Sequence, residues 1–268
     1  MRGEMTMTLR RYMRACADMV LPRVCIVCRQ KLLIDEKYLC LHCLAGLPLT
    51  GNWLVSHNSM ADRFNEMIQE SYGMSGHGER YAFACALFFY DSEGEYRHIP
   101  YNIKYRGDIH TGSYFGMMLG KKMAGAGHFC DIDLVIPVPL HWTRRWKRGY
   151  NQAEIIAKAI ADEIGAPMHT DILKRTRRTA TQTRLDIEGK SRNVSGAFHC
   201  TADALPYSDN RHSEPCVPTG CGHPGHILLV DDIFTTGSTL HACFSALRSV
   251  FPPEVRISVA TLGFVGDV

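Results

Sequence analysis

Two neighbouring aspartates, Asp231 and Asp232, close a short apolar run and open a loop of small residues, Thr235-Thr236-Gly237-Ser238-Thr239. Adjacent carboxylates offer acceptors for two vicinal hydroxyls of a sugar. A loop rich in backbone N–H and hydroxyl donors, placed where a helix begins, suits a phosphate. Gly237 lets the backbone approach a ligand closely and take positive φ. The order fits a sugar phosphate. A strand followed by an acidic turn and a Ser/Thr helix cap would supply some of these residues, but rarely all of them in this order.

The carboxylates reach a ligand only if they stand at the carboxyl end of a buried parallel strand. Residues 226–230, apolar after the histidine, predict one. Further strands are expected over 81–90, 133–138 and 255–262, with a short strand or hood segment over 194–199. Helices are expected over about 94–105, 110–124, 153–164 and 239–250. This alternation predicts an α/β fold with a parallel sheet flanked by helices.

A second cluster, His141-Trp142-Thr143-Arg144-Arg145-Trp146-Lys147-Arg148, also follows a strand. Its cations repel one another unless an anion faces them. Arginine forks match phosphate oxygens, so pyrophosphate is the natural candidate, with Arg144 and Arg145 as the expected contacts. A third basic stretch runs from Lys174 and Arg175 to Gln182 and has no apolar periodicity. Lys104 and Arg106 form a smaller basic element before a helix. Residues 141–195 hold 12 Lys/Arg against 6 Asp/Glu in a chain of net charge +3. That local excess serves a pyrophosphate or a nucleic-acid backbone equally well.

Cys25-x2-Cys28 and Cys40-x2-Cys43 are paired knuckles, the spacing of a four-thiolate structural zinc site. A closed shell has no open coordination position, so its expected role is folding or docking. Ahead of it, Leu9, Tyr12, Met13, Cys16, Met19 and Val20 recur at helical spacing, and Pro22 ends that helix. The domains are expected to be 1–50 (amphipathic helix and zinc module), 51–80 (linker with a short helix) and 81–268 (main domain). No apolar run approaches the ~20 residues of a membrane span. Arginines interrupt any signal-peptide core, and the cysteines suit a reducing compartment, so the chain is expected to be cytoplasmic.

The stretch Leu228-Leu229-Val230-Asp231-Asp232-x-x-Thr235-Thr236-Gly237-Ser238-Thr239 resembles the 5-phosphoribosyl-1-pyrophosphate (PRPP) motif of type I phosphoribosyltransferases. The order of motifs carries the likeness further. After the knuckles come Lys104-Tyr105-Arg106-Gly107-Asp108, Pro137-Val138-Pro139-Leu140 and Lys147-Arg148-Gly149-Tyr150-Asn151-Gln152-Ala153. Arg175-Thr176-Arg177-Arg178-Thr179-x-x-Gln182 and Arg192-Asn193-Val194-x-Gly196-Ala197-Phe198 follow. Over about 9–262 the chain is similar to the ComF family of competence-associated, amidophosphoribosyltransferase-like proteins.

The resemblance implies a zinc module joined to a type I phosphoribosyltransferase domain. It also implies natural transformation as the process, with single-stranded DNA and a helicase-like protein as partners. Asp231 and Asp232 would then hold the ribose hydroxyls and Mg²⁺-bound water, and Thr235, Thr236, Gly237, Ser238 and Thr239 the 5′-phosphate. Arg144 and Arg145 would meet pyrophosphate, and residues 175–182 would form a hood over the reacting carbon. Two departures stand out. Purine-salvage relatives carry a carboxylate where this chain has Thr235, which argues against that activity. Residues 199–225 are longer than expected; they read as a surface loop, with Cys200, His212, Cys216, Cys221 and His223 as a conceivable second metal set.

Overall fold

A computed structural model describes residues 21–72, 78–176, 196–201 and 224–266. The helix expected over 9–20, Gln182 and most of the 199–225 insert lie outside the described residues. In chain order the first elements are α1 (Leu41–Ala45), α2 (Ser59–Tyr72), β1 (Ala84–Phe89), α3 (His98–Tyr105) and α4 (Ile109–Ala124). Next come β2 (Leu134–Pro137), α5 (Trp142–Arg148), α6 (Gln152–Ile164), β3 (Leu173–Arg175) and β4 (Phe198–Cys200). Then follow β5 (His226–Phe234), α7 (Ser238–Arg248) and β6 (Arg256–Phe264).

Four strands form one parallel sheet in the order β1-β6-β5-β2, while β3 and β4 make a separate antiparallel pair. The central strands are apolar on both faces, as a covered parallel sheet requires. Their side chains alternate between two hydrophobic layers. Leu228 and Val230 of β5 join Phe115 and Leu119 of α4 and Ile156 and Ile160 of α6. Ile227 and Leu229 join Phe64 and Ile68 of α2 and Phe244 and Leu247 of α7. The period of two thus assigns a pair of helices to each face.

The cysteine segment shares the first layer. Cys25, Leu39, Leu47 and Trp53 belong to the same buried cluster as Leu87 and Phe88 of β1. Leu49 bridges Phe88 at the free edge of β1, and Phe89 N donates to Pro48 O at 2.8 Å. Part of the stretch expected to be a linker is the helix α2, which buries Met60, Ala61, Phe64 and Ile68. This is the short helix expected there, where Phe64, Met67 and Ile68 recur at helical spacing, and its apolar face covers the sheet. β5 also runs past its expected end at Val230, because β6 continues to pair with it at Asp231↔Thr261 and Ile233↔Gly263. Among the described residues, no helix is long and apolar enough to cross a membrane.

Helices α4 and α6 approach through a stripe of small residues. A Cβ added at Gly116 would lie 2.9 Å from Ile156 O, and one at Gly120 would lie 2.8 Å from Glu163 Cβ. This close seam fixes where α6, and the basic α5 before it, stand relative to the sheet. Gly116→Val must drive the helices apart and is expected to cost about 1–3 kcal/mol, as overpacked cores do. Urea unfolding followed by circular dichroism measures it.

Candidate functional site

β2 stops opposite Val230, so the end of β5 projects beyond it. The chain leaves β2 through α5 and α6, which lies on one face, and leaves β5 through α7 on the other. Such a divergence at neighbouring strand ends opens a crevice at the carboxyl edge. Asp231 and Asp232 stand there, half-buried.

The carboxylates sit within a cage of cations. Lys104, at the end of α3, reaches Asp232 Oδ2 at 3.1 Å. Burial alone would lower the Lys104 pKa, but the Asp232 charge, that hydrogen bond and Asp231 outweigh it and raise it. Burial drives Asp231 the other way for a carboxyl, upward, and the Asp232 charge adds to the effect. Against these stand the Asp232 N–H, which donates to Asp231 Oδ1 at 2.8 Å, and the charges of Lys104 and Arg175; the outcome is about 7. Arg175, on β3, lies over the Phe198 ring at 5.1 Å. Burial lowers its pKa first and the repulsion of Arg144 second, so Arg144 and Arg175 share one field.

The arginines of α5 divide. Arg144 faces Arg175 and the carboxylates' side of the crevice. Arg145 instead binds Glu154 of α6 at 3.1 Å and is exposed. Arg148, which the charge run contained but did not single out, lies within the field of Lys104. It donates to Gln152 Oε1 at 2.9 Å and covers the Tyr105 ring at 5.3 Å. The site's cations are therefore Lys104, Arg144, Arg148 and Arg175.

Other motif residues are clamps. Tyr150 donates its hydroxyl to Ile103 O, next to Lys104. Asn151 donates to Val138 O at 3.0 Å and accepts from Ala153 N, capping α6 while tying it to the end of β2. Asp108 caps α4 through Thr111 N at 3.0 Å. The only sequence signal for these roles is position: each precedes a helix as an N-cap does, or follows a glycine.

The loop after β5 has the expected form. Gly237 has φ +81°, and a Cβ there would lie 2.7 Å from Phe234 Cζ, so no other residue fits without strain. It begins α7 with no side-chain cap. Thr236 Oγ1 and Ser238 Oγ are 2.9 Å apart, Thr235 is exposed, and a hollow of about 20 Å³ separates Asp231 from Thr235, Gly237 and Thr239. The start of α7 stands beside this hollow, and helix N-terminal amides are donors that an anion can use.

The knuckles converge. The sulfurs of Cys25, Cys28, Cys40 and Cys43 all lie within 4.8 Å of one another, and those of Cys28 and Cys40 are 3.6 Å apart. A tetrahedral thiolate shell with bonds of ~2.3 Å has edges of about 3.8 Å, so the residues fit a metal such as zinc. Burial would push the Cys25 thiol up, but backbone N–H groups around it hold it at about 7. Tyr96 donates to Cys43 O at 3.0 Å and joins the knuckles to the region before α3.

No family model matches the chain. It is 30% identical over 125 residues to "Competence protein F" of Haemophilus influenzae, covering 47% of this chain and 48% of that protein. It is 31% identical over 108 residues to "DNA utilization protein YhgH" of Escherichia coli, covering 40% of each. The Salmonella typhi protein of that name is 32% identical over the same length. The chain therefore matches less than half the length of these relatives.

Two outcomes follow from the charges and the thiols. Unfolded Asp231 titrates near 3.8 and folded Asp231 near 7, so the folded chain binds the extra proton between those values. That contribution to stability is fully present below pH 3.8 and is lost as pH rises through about 7. Asp231→Asn is expected to melt several degrees above wild type at pH 8, with a gain that shrinks toward pH 4. Melting both proteins in metal-free buffer across that range tests it. Chelation is expected to lower the melting temperature and make all four knuckle thiols reactive toward a disulfide reagent.

Proposed function

We propose that the chain is a member of the ComF family that binds PRPP and transfers the phosphoribosyl group to a nitrogen acceptor, in association with DNA uptake. The observation that carries this reading is the half-buried Asp231–Asp232 pair beside the uncapped start of α7, ringed by Lys104, Arg144, Arg148 and Arg175. The names of its relatives, a competence protein and a DNA utilization protein, support the process.

In this reading Asp231 and Asp232 accept hydrogen bonds from the ribose 2′- and 3′-hydroxyls. Lys104 holds Asp232 through its ion pair at 3.1 Å and so orients that carboxylate toward the ribose. Thr235, Thr236, Gly237, Ser238 and Thr239 take the 5′-phosphate with the first amides of α7. The bond from C1 to pyrophosphate oxygen breaks with its electron pair leaving on pyrophosphate, whose charge Arg144 and Arg148 face. The acceptor nitrogen closes the new bond to C1 and releases its proton to solvent. Arg175 covers the crevice from the β3–β4 hairpin; Gln182 belongs to the same hood by the resemblance. Mg²⁺ bound with PRPP, its water held by the two aspartates, would neutralise charge on the leaving group. Zinc on Cys25, Cys28, Cys40 and Cys43 would be structural.

A second reading rests on α5. Trp142 and Trp146 are 71% and 83% exposed, one turn apart among four cations, a surface on which bases of single-stranded DNA stack. There the chain would be a binding or scaffold protein beside a helicase-like partner.

Calorimetry with PRPP and Mg²⁺ separates the readings. Wild type is expected to bind, and Asp231→Asn/Asp232→Asn to lose binding. Arg144→Ala should weaken binding about tenfold, the scale of a lost charge-assisted hydrogen bond, whereas Arg145→Ala, already held by Glu154, should stay within about twofold. Unchanged binding by the double aspartate variant overturns the PRPP reading. Steeply salt-dependent oligonucleotide binding, lost in Trp142→Ala/Trp146→Ala and without pyrophosphate release, favours the second.

A further inference from the structure

Beside Lys104 and Ile233 lies a cleft of about 510 Å³. Besides Ile233 of β5, its walls come from three places in the chain. The cysteine knuckle contributes Arg29, the end of β1 contributes Tyr90, and the region through α3 contributes Arg97, His98, Tyr101 and Arg106. Among the described residues, no acidic one lines it. The Arg97 guanidinium donates to a backbone carbonyl, Glu93 O at 2.7 Å, and Arg29 and Arg106 join none of the ion pairs among the described residues. All three guanidinium groups act on His98, whose pKa burial lowers first and Arg29, Arg97 and Arg106 lower further. The cations therefore converge on one space rather than radiating into solvent.

Arg29 is placed there at a cost. It is the one non-glycine residue with positive φ among the described residues, at +65°. The knuckle turn enforces this, with Arg29 N donating to Cys25 O at 3.0 Å and Cys25 N to Gln30 O at 2.8 Å. Across the cleft mouth, Tyr101 and Tyr105 lie with ring centroids 5.1 Å apart and are 49% and 64% exposed. Aromatic faces held beside converging guanidinium groups recognise a ligand that is both flat and anionic. The volume falls within the ~300–1,000 Å³ of small-ligand sites.

We propose that this cleft is a second ligand site, taking a phosphorylated aromatic molecule of the nucleotide class. The phosphate lies among Arg29, Arg97 and Arg106, and the ring lies against Tyr101. The residues assigned to this ligand are distinct from the carboxylate pair and the loop after β5, while Lys104, which pairs with Asp232, stands where the two sites adjoin. The ligand is a free nucleotide or the phosphorylated end of a single strand, which present the same chemistry.

Calorimetry on the full chain with adenosine 5′-monophosphate, adenosine and a 5′-phosphorylated oligonucleotide tests it. The monophosphate is expected to bind, and adenosine to bind at least about tenfold more weakly, for want of charge-assisted hydrogen bonds. Arg29→Gln/Arg106→Gln should lose about tenfold or more for the monophosphate while PRPP binding stays within about twofold. Tyr101→Leu should weaken the monophosphate but not inorganic phosphate, a readout that loss of folding would not give. Tighter binding of the oligonucleotide than of the monophosphate supports the site with a strand end as its ligand; the reverse supports it with a free nucleotide. Equal binding of adenosine and its monophosphate overturns the proposal, as does no binding at millimolar ligand. Equal loss of PRPP and monophosphate in the arginine double variant also overturns it, since the cleft would then be part of the PRPP site.

Discussion

Two carboxylates on consecutive residues at the end of a buried strand cannot both ionise without help. The rest of the crevice is arranged around that constraint. Lys104 answers Asp232 directly, and Arg175 and Lys104 temper the burial that drives Asp231 upward. These cations come from α3 and β3, with Arg144 and Arg148 from α5, so elements far apart in sequence must meet at one strand end. The crevice holds more positive than negative charge. A protein gathers such an excess at a strand end where an anion is to be met.

Much of this was legible in the residues. The run from Leu228 to Thr239 announced strand, acids, loop and helix in order, and each stands in that order. The strand itself runs to Phe234 because β6 pairs with it, and pairing partners are not written in local sequence. The arginines show the same limit. Arg144, Arg145 and Arg148 are equivalent in a charge run, yet on a short helix they point along different directions. Helical geometry sends Arg145 to Glu154, nine positions on, and only the seam between α4 and α6 decides where Glu154 stands.

The cysteine segment illustrates a subtler point. Its spacing declared a metal site, but nothing in the spacing tells where the module sits. Apolar residues around the thiols, such as Leu39 and Leu47, join the layer beneath β1, and Leu49 extends the edge of the sheet. The region from 51 to 80 looked like a spacer by composition. Phe64 and Ile68 showed its helical period, and the structure turns that period into cover for one face of the sheet.

The strand order also has a consequence in time. β1 lies at one edge, and its partner β6 is the last of the described strands, with Ala84 beside Val259. A ribosome therefore makes every other described strand before β1 meets one of its own sheet. The knuckles, by contrast, need only residues 25–43 to close. Local closure is fast, whereas pairings between remote segments are slow and leave apolar strands uncovered meanwhile. Nascent β1, with Cys85, Leu87 and Phe88, would wait longest, and the neighbouring cysteine segment is the first part of the chain able to shelter it.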